Sequence, residues 1–305
     1  MTKAVIDIGT NTLLLLIVDE QIQPLVDLCR FGRLGKGLDA SGKLAPESIA
    51  KSLDICREYR RVMDEHGVTR LSIIGTQALR EATNAAEFVG PAERVLGGSI
   101  EIIAGMREAE LAATAVARTL PDLATSRYVV VDVGGGSTEL ISVDGGRVLS
   151  AVSVPIGAVR LTERHLRHDP PSSDELASLE ADIDRHLAPL DLPTGAPIVG
   201  TAGTATTMAA AKLSLARYDP NAVTGLRMSP TDIATQYARL ASATVAARRD
   251  MPGITAERAD VIAAGVAIYV RVMHRVSAPV FVACDRGIRW GVAYEQAAPN
   301  KAADE

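Results

Sequence analysis

The chain has few aromatic residues: Phe, Trp and Tyr make up 3% of its 305 residues. A hydrophobic core must therefore be built from Val, Ile, Leu and Ala, which favours buried parallel or mixed sheets flanked by Ala-rich helices. The same scarcity disfavours a base-stacking surface for nucleic acid. The chain also lacks a basic excess, because its formal net charge is −5. No global field attracts nucleic acid, and an anionic ligand would have to be met by local cations.

Cysteine is scarce as well, and Cys29, Cys56 and Cys284 are widely scattered. No pair has the spacing of a metal or redox motif, and an odd number is a poor disulfide framework. No apolar run approaches the length that spans a membrane. A strand pattern begins within a few residues of Met1, which leaves no room for a signal peptide. These features predict a protein of the reducing cytoplasm without a membrane partner.

Several catalytic signatures are missing too. The sequence has no nucleophilic serine elbow, no P-loop lysine motif and no specific Cys-His pair. The hydrophobic fraction of 47% and the charged fraction of 23% are those of an ordinary globular chain. Two domains are expected, because single cores stop growing near ~250–300 residues. The histidines show no ligand spacing and are interpreted as surface or helix residues.

Two near-copies of one short pattern carry most of the functional information. Each predicts a strand, an Asp-x-Gly turn rich in glycine and hydroxyl side chains, and a second strand. Glycine lets the backbone approach a ligand closely, and the N–H groups and hydroxyls of such a turn can form a nest for phosphate oxygens. The candidate phosphate-binding residues are Asp7, Gly9, Thr10, Asn11 and Thr12 in the first copy and Gly134, Gly135, Gly136, Ser137 and Thr138 in the second.

The aspartate at the strand end of each copy, Asp7 or Asp132, offers a hard oxygen to a magnesium ion. One such turn would be weak evidence, because Gly-Thr and Gly-Ser turns occur in many hairpins. Two copies in matching order predict a duplicated fold with a phosphate chain held between its halves.

A third glycine-hydroxyl segment follows a predicted strand at 198–199 and precedes a predicted helix. A helix N-terminus there would present N–H groups and a positive dipole to an anion. Taken alone, the segment is better interpreted as an ordinary strand-helix connection. Beside the other two turns, phosphate binding is favoured for Gly200, Thr201, Gly203 and Thr204.

Charged residues near predicted strand ends are further candidates. Arg80 follows a strand that ends at Gly75, and a guanidinium can bind phosphate with two parallel bonds. On spacing alone, a solvated arginine is the better interpretation. Glu108 and Glu110 lie early in a predicted helix, where a carboxylate could act as general base toward water or simply favour a helix N-terminus. The residues alone do not choose between these two roles. Other basic candidates are Arg30, Arg33, Lys36, Arg160, Arg258, Arg286 and Arg289.

Apolar residues at helical spacing predict a helix over 46–65. Later in the chain, helices are predicted near 205–216, 230–248 and 257–275, and the last helix near 287–296. The segment Pro121–Ser126 is the predicted boundary between two domains, at 1–125 and 126–305.

In order along the chain, several motifs together resemble the exopolyphosphatase / guanosine pentaphosphate phosphohydrolase (Ppx/GppA) family. The Asp132–Glu139 run is the most specific of them. The match covers about 3 to 295 and comprises Asp7–Thr12, Thr76–Ala82, Arg107–Ala109, Asp132–Glu139, Gly200–Thr204, Glu257–Asp260 and Asp285–Arg289.

The resemblance implies an α/β fold of two actin-like (ribonuclease-H-like, ASKHA) domains with an interdomain cleft, in which the last helix is free to pack on the first domain. It implies hydrolysis of the terminal phosphate of inorganic polyphosphate, or alternatively of guanosine pentaphosphate. Magnesium is the implied cofactor, with potassium as a candidate activator and a homodimer as a candidate assembly.

Residue by residue, the resemblance implies that Glu108 is the catalytic glutamate and that Arg80 binds phosphate. Asp132 and Glu139, together with Asp7, match the acidic metal-associated positions. Many members carry a basic residue shortly after the first turn, where this chain has Leu13, Leu14 and Leu15.

Two other classes of protein stay open. An actin-like sugar or acetate kinase is disfavoured because the chain lacks the Cys-rich zinc motif of compact sugar kinases. A non-catalytic polyphosphate or alarmone sensor is disfavoured because a binding protein needs cations more than the carboxylates of Glu108, Asp132 and Glu139.

Overall fold

A computed structural model describes residues 1–123 and 125–297, and the chain forms two compact units. Unit 1 comprises Met1–Ala115 together with the chain from Ile288 onward, and unit 2 comprises Val116–Gly287. The division therefore lies earlier than the predicted boundary at 125–126, because a continuous helix, rather than a turn, carries the chain from one unit into the next. The last residues of the predicted second domain, 298–305, lie outside the described residues.

Unit 1 is built on a five-stranded sheet with the strand order β3-β2-β1-β4-β5. The first three strands are antiparallel neighbours, whereas β4 and β5 run parallel to β1. The strands are β1 Lys3–Ile8, β2 Leu13–Val18, β3 Pro24–Arg30, β4 Arg70–Gly75 and β5 Ile100–Ile102. The helices are α1 Leu38–Ser41, α2 Pro46–Glu65, α3 Gln77–Glu81, α4 Ala86–Leu96, α5 Gly105–Thr119 and the last helix of the chain, α13 Ile288–Glu295. Helix α5 continues into unit 2.

Unit 2 is built on a six-stranded sheet with the order β10-β11-β9-β6-β7-β8. The strands are β6 Arg127–Val133, β7 Thr138–Asp144, β8 Arg147–Val154, β9 Ile198–Thr201, β10 Arg227–Met228 and β11 Phe281–Ala283. The helices are α6 Ala158–His165, α7 Ser173–Leu187, α8 Ala202–Lys212, α9 Pro220–Val223, α10 Pro230–Ala241, α11 Val245–Arg249 and α12 Ile262–Arg275, and a short 3₁₀ turn spans Pro121–Leu123.

The two sheets repeat one topology. An antiparallel meander (β1-β2-β3 or β6-β7-β8) is joined at its first strand by two parallel strands (β4 and β5, or β9 and β11), and β10 is an addition at the edge of the second sheet. This is the ribonuclease-H-like order that the family resemblance implies. The carboxyl ends of parallel strands share one edge of a sheet, where α/β proteins bind ligands.

The sequence correctly predicts the helix over 46–65. In α2, Ile49, Ile55, Cys56, Tyr59 and Met63 are buried, as the apolar spacing requires. The hydroxyl of Tyr59 donates a 2.7 Å hydrogen bond to the carbonyl of Leu13, so this helix is fixed to the first residue of β2.

The helix predicted over 230–248 is wrong as a single element. The structure has α10 and α11 in its place, with residues 242–244 between them. The hydroxyl of Thr244 accepts a hydrogen bond from the amide of Ala247, and such an N-cap starts a new helix rather than continuing the old one. The predicted helix over 257–275 begins later, at Ile262.

In unit 2 the core surrounds α12, which is buried along almost its whole length. Tyr269 of this helix is fully buried, and its hydroxyl shares its one proton between the carbonyls of Val131 (2.9 Å) and Thr201 (3.1 Å). Its ring meets Phe281 edge to face, with the centroids 5.2 Å apart. One side chain thus ties together β6, β9 and β11.

Across the described residues, no helix combines the length and the apolar character needed to cross a membrane.

The reactivity of the three cysteine thiols tests the packing of the two cores, because Cys56 and Cys284 are buried. Burial raises the pKa of the Cys56 thiol to about 12 and that of Cys284 to about 12, whereas Cys29 is exposed. Because the thiolate is the reactive form, we expect a disulfide reagent at pH 8 to modify one thiol rapidly in the folded protein and all three after denaturation. In Cys29→Ser the rapid phase should disappear. Rapid modification of three native thiols would contradict this packing.

Candidate active site

The first turn, residues 9–12, is closed by the amide of Gly9, which donates to the carbonyl of Thr12 at 2.9 Å. Two further carbonyls of the turn are also bonded: that of Thr10 accepts from the amide of Gly35 (2.8 Å) and that of Asn11 accepts from the amide of Arg33 (2.9 Å). The loop after β3 therefore holds the turn from its carbonyl side.

The second turn, residues 134–137, repeats this arrangement. The amide of Gly134 donates to the carbonyl of Ser137 at 3.0 Å. The carbonyl of Gly134 accepts from Ala158, and that of Gly135 accepts from Val159 and Arg160, all within 2.9–3.0 Å. Here the first turn of α6 holds the carbonyls.

The bonding of these carbonyls decides where the amides of each turn point. In a planar trans peptide, the N–H of one residue points away from the C=O of the residue before it. The amides of Asn11 and Thr12 are therefore directed away from the 33–35 loop, and those of Gly135 and Gly136 away from α6. Successive N–H groups directed to one side form an anion-binding nest, which is the chemistry predicted for both turns.

Two glycines outside the predicted motifs make this bracing possible. A Cβ on Gly157 would lie 2.5 Å from the backbone carbonyl carbon and oxygen of Gly135. A Cβ on Gly35 would overlap the Thr10 side chain. Sequence reasoning missed both positions, because the signal is a close approach between segments that are distant along the chain.

The predicted hydroxyls differ in what they contact. Thr10 Oγ1 donates to the Gln77 side chain at 2.7 Å, and Ser137 Oγ donates to Glu139 at 2.9 Å. Thr138 is fully buried and donates to the carbonyl of Ile156 at 2.6 Å. The predicted contribution of Thr138 to phosphate binding therefore cannot come from its hydroxyl, which holds β7 to the segment after β8.

Two carboxylates face each other across β6 and β7. Asp132 and Glu139 are direct partners in the register, and both are buried. Asp132 Oδ2 accepts from Thr201 Oγ1 at 2.9 Å, and Glu139 Oε1 accepts from Ser153 Oγ at 2.7 Å in addition to Ser137. Like charges directly opposite each other on a sheet are destabilising, so this pair favours a bound cation.

The arrangement of the acidic residues in space tests whether they form a metal site. Among residues 1–123 and 125–297, no group of three or more His, Cys, Asp or Glu side chains is arranged to hold a metal ion. Of the predicted set, Asp132 and Glu139 lie in unit 2 and Asp7 lies in unit 1, and their joint role in metal binding stays a prediction. Magnesium often uses only one or two carboxylates together with water and phosphate oxygens, and the Asp132–Glu139 pair fits that requirement.

Asp7 holds the matching position in unit 1, but its surroundings differ. It is buried near the end of β1, and its partner across β2 is Leu14. Unit 1 thus has one carboxylate where unit 2 has two.

Glu108 and Arg80 form an ion pair in unit 1. Arg80, on α3 after β4, donates through Nη1 to Glu108 Oε1 and, at 2.7 Å, to the carbonyl of Ile103. Glu108, in the first turn of α5 after β5, is 4% exposed. Because β1, β4 and β5 are parallel, the Gly9 turn, α3 and the start of α5 all follow carboxyl ends at one edge of the sheet.

Glu110 has different surroundings. Its side chain is 54% exposed, and it pairs with Arg107 at 3.2 Å on the outside of α5. The family resemblance selects Glu108 over Glu110, and the structure shows one buried, anchored carboxylate at Glu108 and one solvated carboxylate at Glu110.

The third predicted segment, Gly200–Thr204, is not a loop. β9 runs through Thr201 and α8 begins at Ala202, so the strand passes directly into the helix. The guanidinium of Arg258 packs against Gly203, where a Cβ would overlap it. Arg258, one of the predicted basic residues, therefore lies beside the Gly200–Thr204 segment.

Other predicted basic residues are engaged in ion pairs. Arg30 pairs with Glu58 at 2.7 Å, and Arg289 pairs with Asp27 at 3.0 Å. Lys36 is exposed. Arg286 immediately precedes Gly287, where a Cβ would lie 3.9 Å from Asp132 Oδ2, so Gly287 lies beside Asp132 within unit 2.

Two units with one sheet order, each bearing a braced glycine turn beside an aspartate, define an α/β protein of the actin-like class. A solved exopolyphosphatase-like protein has the same fold, with a TM-score of 0.92 and 34% identity over 97% of this chain and 99% of that one. The fold class predicted from the motifs is therefore confirmed.

The model of the Ppx/GppA phosphatase family matches residues 15–299, and the chain belongs to this family. It is 34% identical over 281 residues to exopolyphosphatase 2 of Mycobacterium tuberculosis, covering 87% of this chain and 88% of the relative. It is 28% identical over 304 residues to guanosine-5'-triphosphate,3'-diphosphate pyrophosphatase of Vibrio cholerae, covering 96% of this chain and 58% of that protein. The predicted family membership is confirmed.

The bracing of the second turn can be tested with Gly157→Ala. The added methyl group would meet the backbone of Gly135, and such overpacking typically costs about 1–3 kcal/mol. We expect the free energy of unfolding, measured with urea, to fall by that amount. Gly98→Ala is the control, because a Cβ there would meet only the ends of the Leu71 and Ile73 side chains, at 3.3–3.8 Å; the free energy of unfolding should change by less than about 1 kcal/mol. An equal change in both variants would show that the turn is not braced at Gly157.

Proposed function

We propose that the protein is an exopolyphosphatase that hydrolyses the terminal phosphate of inorganic polyphosphate. The observation that carries the proposal is the buried carboxylate of Glu108, held by Arg80 at the sheet edge that also bears the first glycine turn. The similarity to the Mycobacterium tuberculosis exopolyphosphatase supports this substrate. Guanosine pentaphosphate is the second candidate, supported by the similarity to the Vibrio cholerae pyrophosphatase.

In the proposed reaction, Glu108 orients a water molecule and accepts its proton as the oxygen attacks the terminal phosphorus. A new P–O bond forms, and the bond from that phosphorus to the bridging oxygen breaks. The bridging oxygen leaves on the shortened chain with the electron pair. Arg80 has donors beyond those used on Glu108 and Ile103, because a guanidinium carries five N–H groups. It would therefore hold the base in place and offer charge to a phosphate oxygen.

The turn amides bind rather than react. Substrate phosphate oxygens would accept hydrogen bonds from these amides, which are those of Asn11 and Thr12 in unit 1 and of Gly135 and Gly136 in unit 2. Phosphoryl transfer depends mainly on positioning and electrostatic stabilisation, so amides already held in place lower the barrier without reorganising.

Magnesium is the proposed cofactor. Asp132 and Glu139 would hold it, directly or through water, and Asp7 is the corresponding hard-oxygen residue of unit 1. When bound, it would neutralise charge that develops on the phosphate oxygens. Potassium activation, a homodimer and a cytoplasmic location rest on the family resemblance and composition, and they are part of the same proposal.

The role of the base is tested by Glu108→Gln. Glutamine can still accept a hydrogen bond from Arg80, but it cannot take the proton. General-base catalysis typically contributes ~10²–10⁴-fold, so kcat for phosphate release from tripolyphosphate should fall by about that factor, with KM nearly unchanged.

Glu110→Gln is the matched control for Glu108→Gln, because the two residues share one helix and only Glu110 is solvated. Its kcat should stay near that of the wild type. A dead Glu110→Gln beside an active Glu108→Gln would show that the base has been assigned to the wrong carboxylate. A loss of only a few-fold in both would leave water positioning, rather than proton transfer, as the account.

Substrate and metal are tested together. Phosphate release is measured from long-chain polyphosphate, tripolyphosphate and guanosine pentaphosphate, with magnesium and with excess chelator. We expect polyphosphate to be the best substrate, chelation to abolish turnover and magnesium to restore it. Glu139→Gln should raise the magnesium concentration needed for half-maximal rate, because one of two facing carboxylates is lost. Full activity in chelator would remove the metal from the mechanism.

A further inference from the structure

The hydroxyl of Thr10 and the side-chain amide of Gln77 form a buried hydrogen bond within unit 1. Thr10 Oγ1 lies 2.7 Å from Gln77 Oε1, and the two residues are 6% and 3% exposed. Gln77 is the first residue of α3, and Arg80 lies three positions further along the same helix. Residues at this spacing share a helix face. The short helix therefore contacts the first turn through Gln77 and the proposed base through Arg80.

The comparable hydroxyls of unit 2 donate to groups that can only accept. Ser137 donates to the Glu139 carboxylate, Thr201 to the Asp132 carboxylate and Thr138 to the carbonyl of Ile156. An ionised carboxylate or a backbone carbonyl has no proton to return. Each of these hydroxyls would have to break its bond, without replacement, to donate to a phosphate.

The amide of Gln77 is chemically different, because it has an acceptor oxygen on one side and a donor NH₂ group on the other. A half-turn about its last side-chain bond presents Nε2 to Thr10 in place of Oε1. Nε2 then donates to Thr10 Oγ1, and the hydroxyl proton of Thr10 is released for another acceptor. The carbonyl of Thr10 is held by Gly35 throughout, so the backbone of the turn need not move.

We propose that Gln77 is a positioning residue for substrate phosphate. In the bound state its Nε2 donates to Thr10 Oγ1, and Thr10 Oγ1 donates to a phosphate oxygen in the first turn. One hydrogen bond is broken and two are formed, and no proton leaves any group. The inference rests on the proposed function, since the phosphate chain is its substrate, and it adds a reversible donor that the fixed hydroxyls of unit 2 lack.

The decisive comparison is between Gln77→Glu and Gln77→Met. Glutamate can only accept, so it keeps the Thr10 proton, whereas methionine neither takes nor returns it. Loss of a hydrogen bond to a charged group corresponds to a roughly ten- to hundredfold loss of affinity. We expect KM for tripolyphosphate to rise by about that factor in Gln77→Glu with kcat little changed. In Gln77→Met, which loses only the neutral hydrogen bond that orients the Thr10 hydroxyl, KM should rise by a smaller factor, roughly two- to tenfold.

Thr10→Val separates this effect from simple repulsion of a polyanion by the new carboxylate. In a Thr10→Val background there is no hydroxyl to capture, so Gln77→Glu should raise KM little further. Gln21→Glu is the control for charge alone, because Gln21 is an exposed residue of the same unit; its KM should be that of the wild type. An equal rise in KM with and without the Thr10 hydroxyl would overturn the proposal.

A binding measurement gives an answer that does not depend on turnover or on the folding of Gln77→Met. Titration of the wild type with inorganic phosphate should shift the Gln77 side-chain amide signals in a ¹H–¹⁵N spectrum, and Thr10→Val should abolish that shift. An unmoved amide in wild type that binds phosphate would overturn the inference. A wild type that binds phosphate with the expected shift but hydrolyses none of the substrates would instead overturn the proposed function.

Discussion

In each unit, two carbonyl oxygens of a short glycine turn are bonded into the protein, and the direction of the two amides that follow them is set by these bonds. The bonds come from Gly35 and Arg33 in unit 1 and from the first residues of α6 in unit 2. A turn without such bonds would have no preferred face, because glycine resists little of the rotation that would redirect its amides. These bonds require glycine at positions 35 and 157, because a side chain at either position would collide with the turn that it holds.

The acidic strands of unit 2 depend on a second set of bonds. Tyr269 donates to the carbonyls that flank the carboxylate end of the sheet, at Val131 and Thr201, and burial holds its pKa well above the usual value, with Asp132 adding to the rise. The phenol therefore stays a neutral donor at physiological pH. The hydroxyl of Thr201 donates to Asp132, and those of Ser137 and Ser153 donate to Glu139, so both carboxylates are held in one orientation.

Much of this could be predicted from local sequence. The two Asp-x-Gly turns, the helix over 46–65 and the family depend on residues close together in the chain, and the structure and comparisons confirm the helix, the α/β fold and the family. The braces at Gly35 and Gly157 could not be predicted, since their partners are distant in sequence. Helical spacing predicts that Glu108 and Glu110 lie on different faces of α5, but the burial of Glu108 and its ion pair with Arg80 depend on a segment distant in sequence. The direct passage from β9 into α8 at Ala202 was missed because a glycine-rich run is as typical of a loop as of a close strand-helix contact.

Leu14 occupies in unit 1 the place that Glu139 holds in unit 2. Two copies of one sheet order would ordinarily present equivalent groups at the ends of their first strands. Here a single aliphatic side chain ends that equivalence, because the unit with the lone aspartate has no facing carboxylate to share a cation. The two units therefore have the same backbone order but not the same capacity to bind a positive charge at this place.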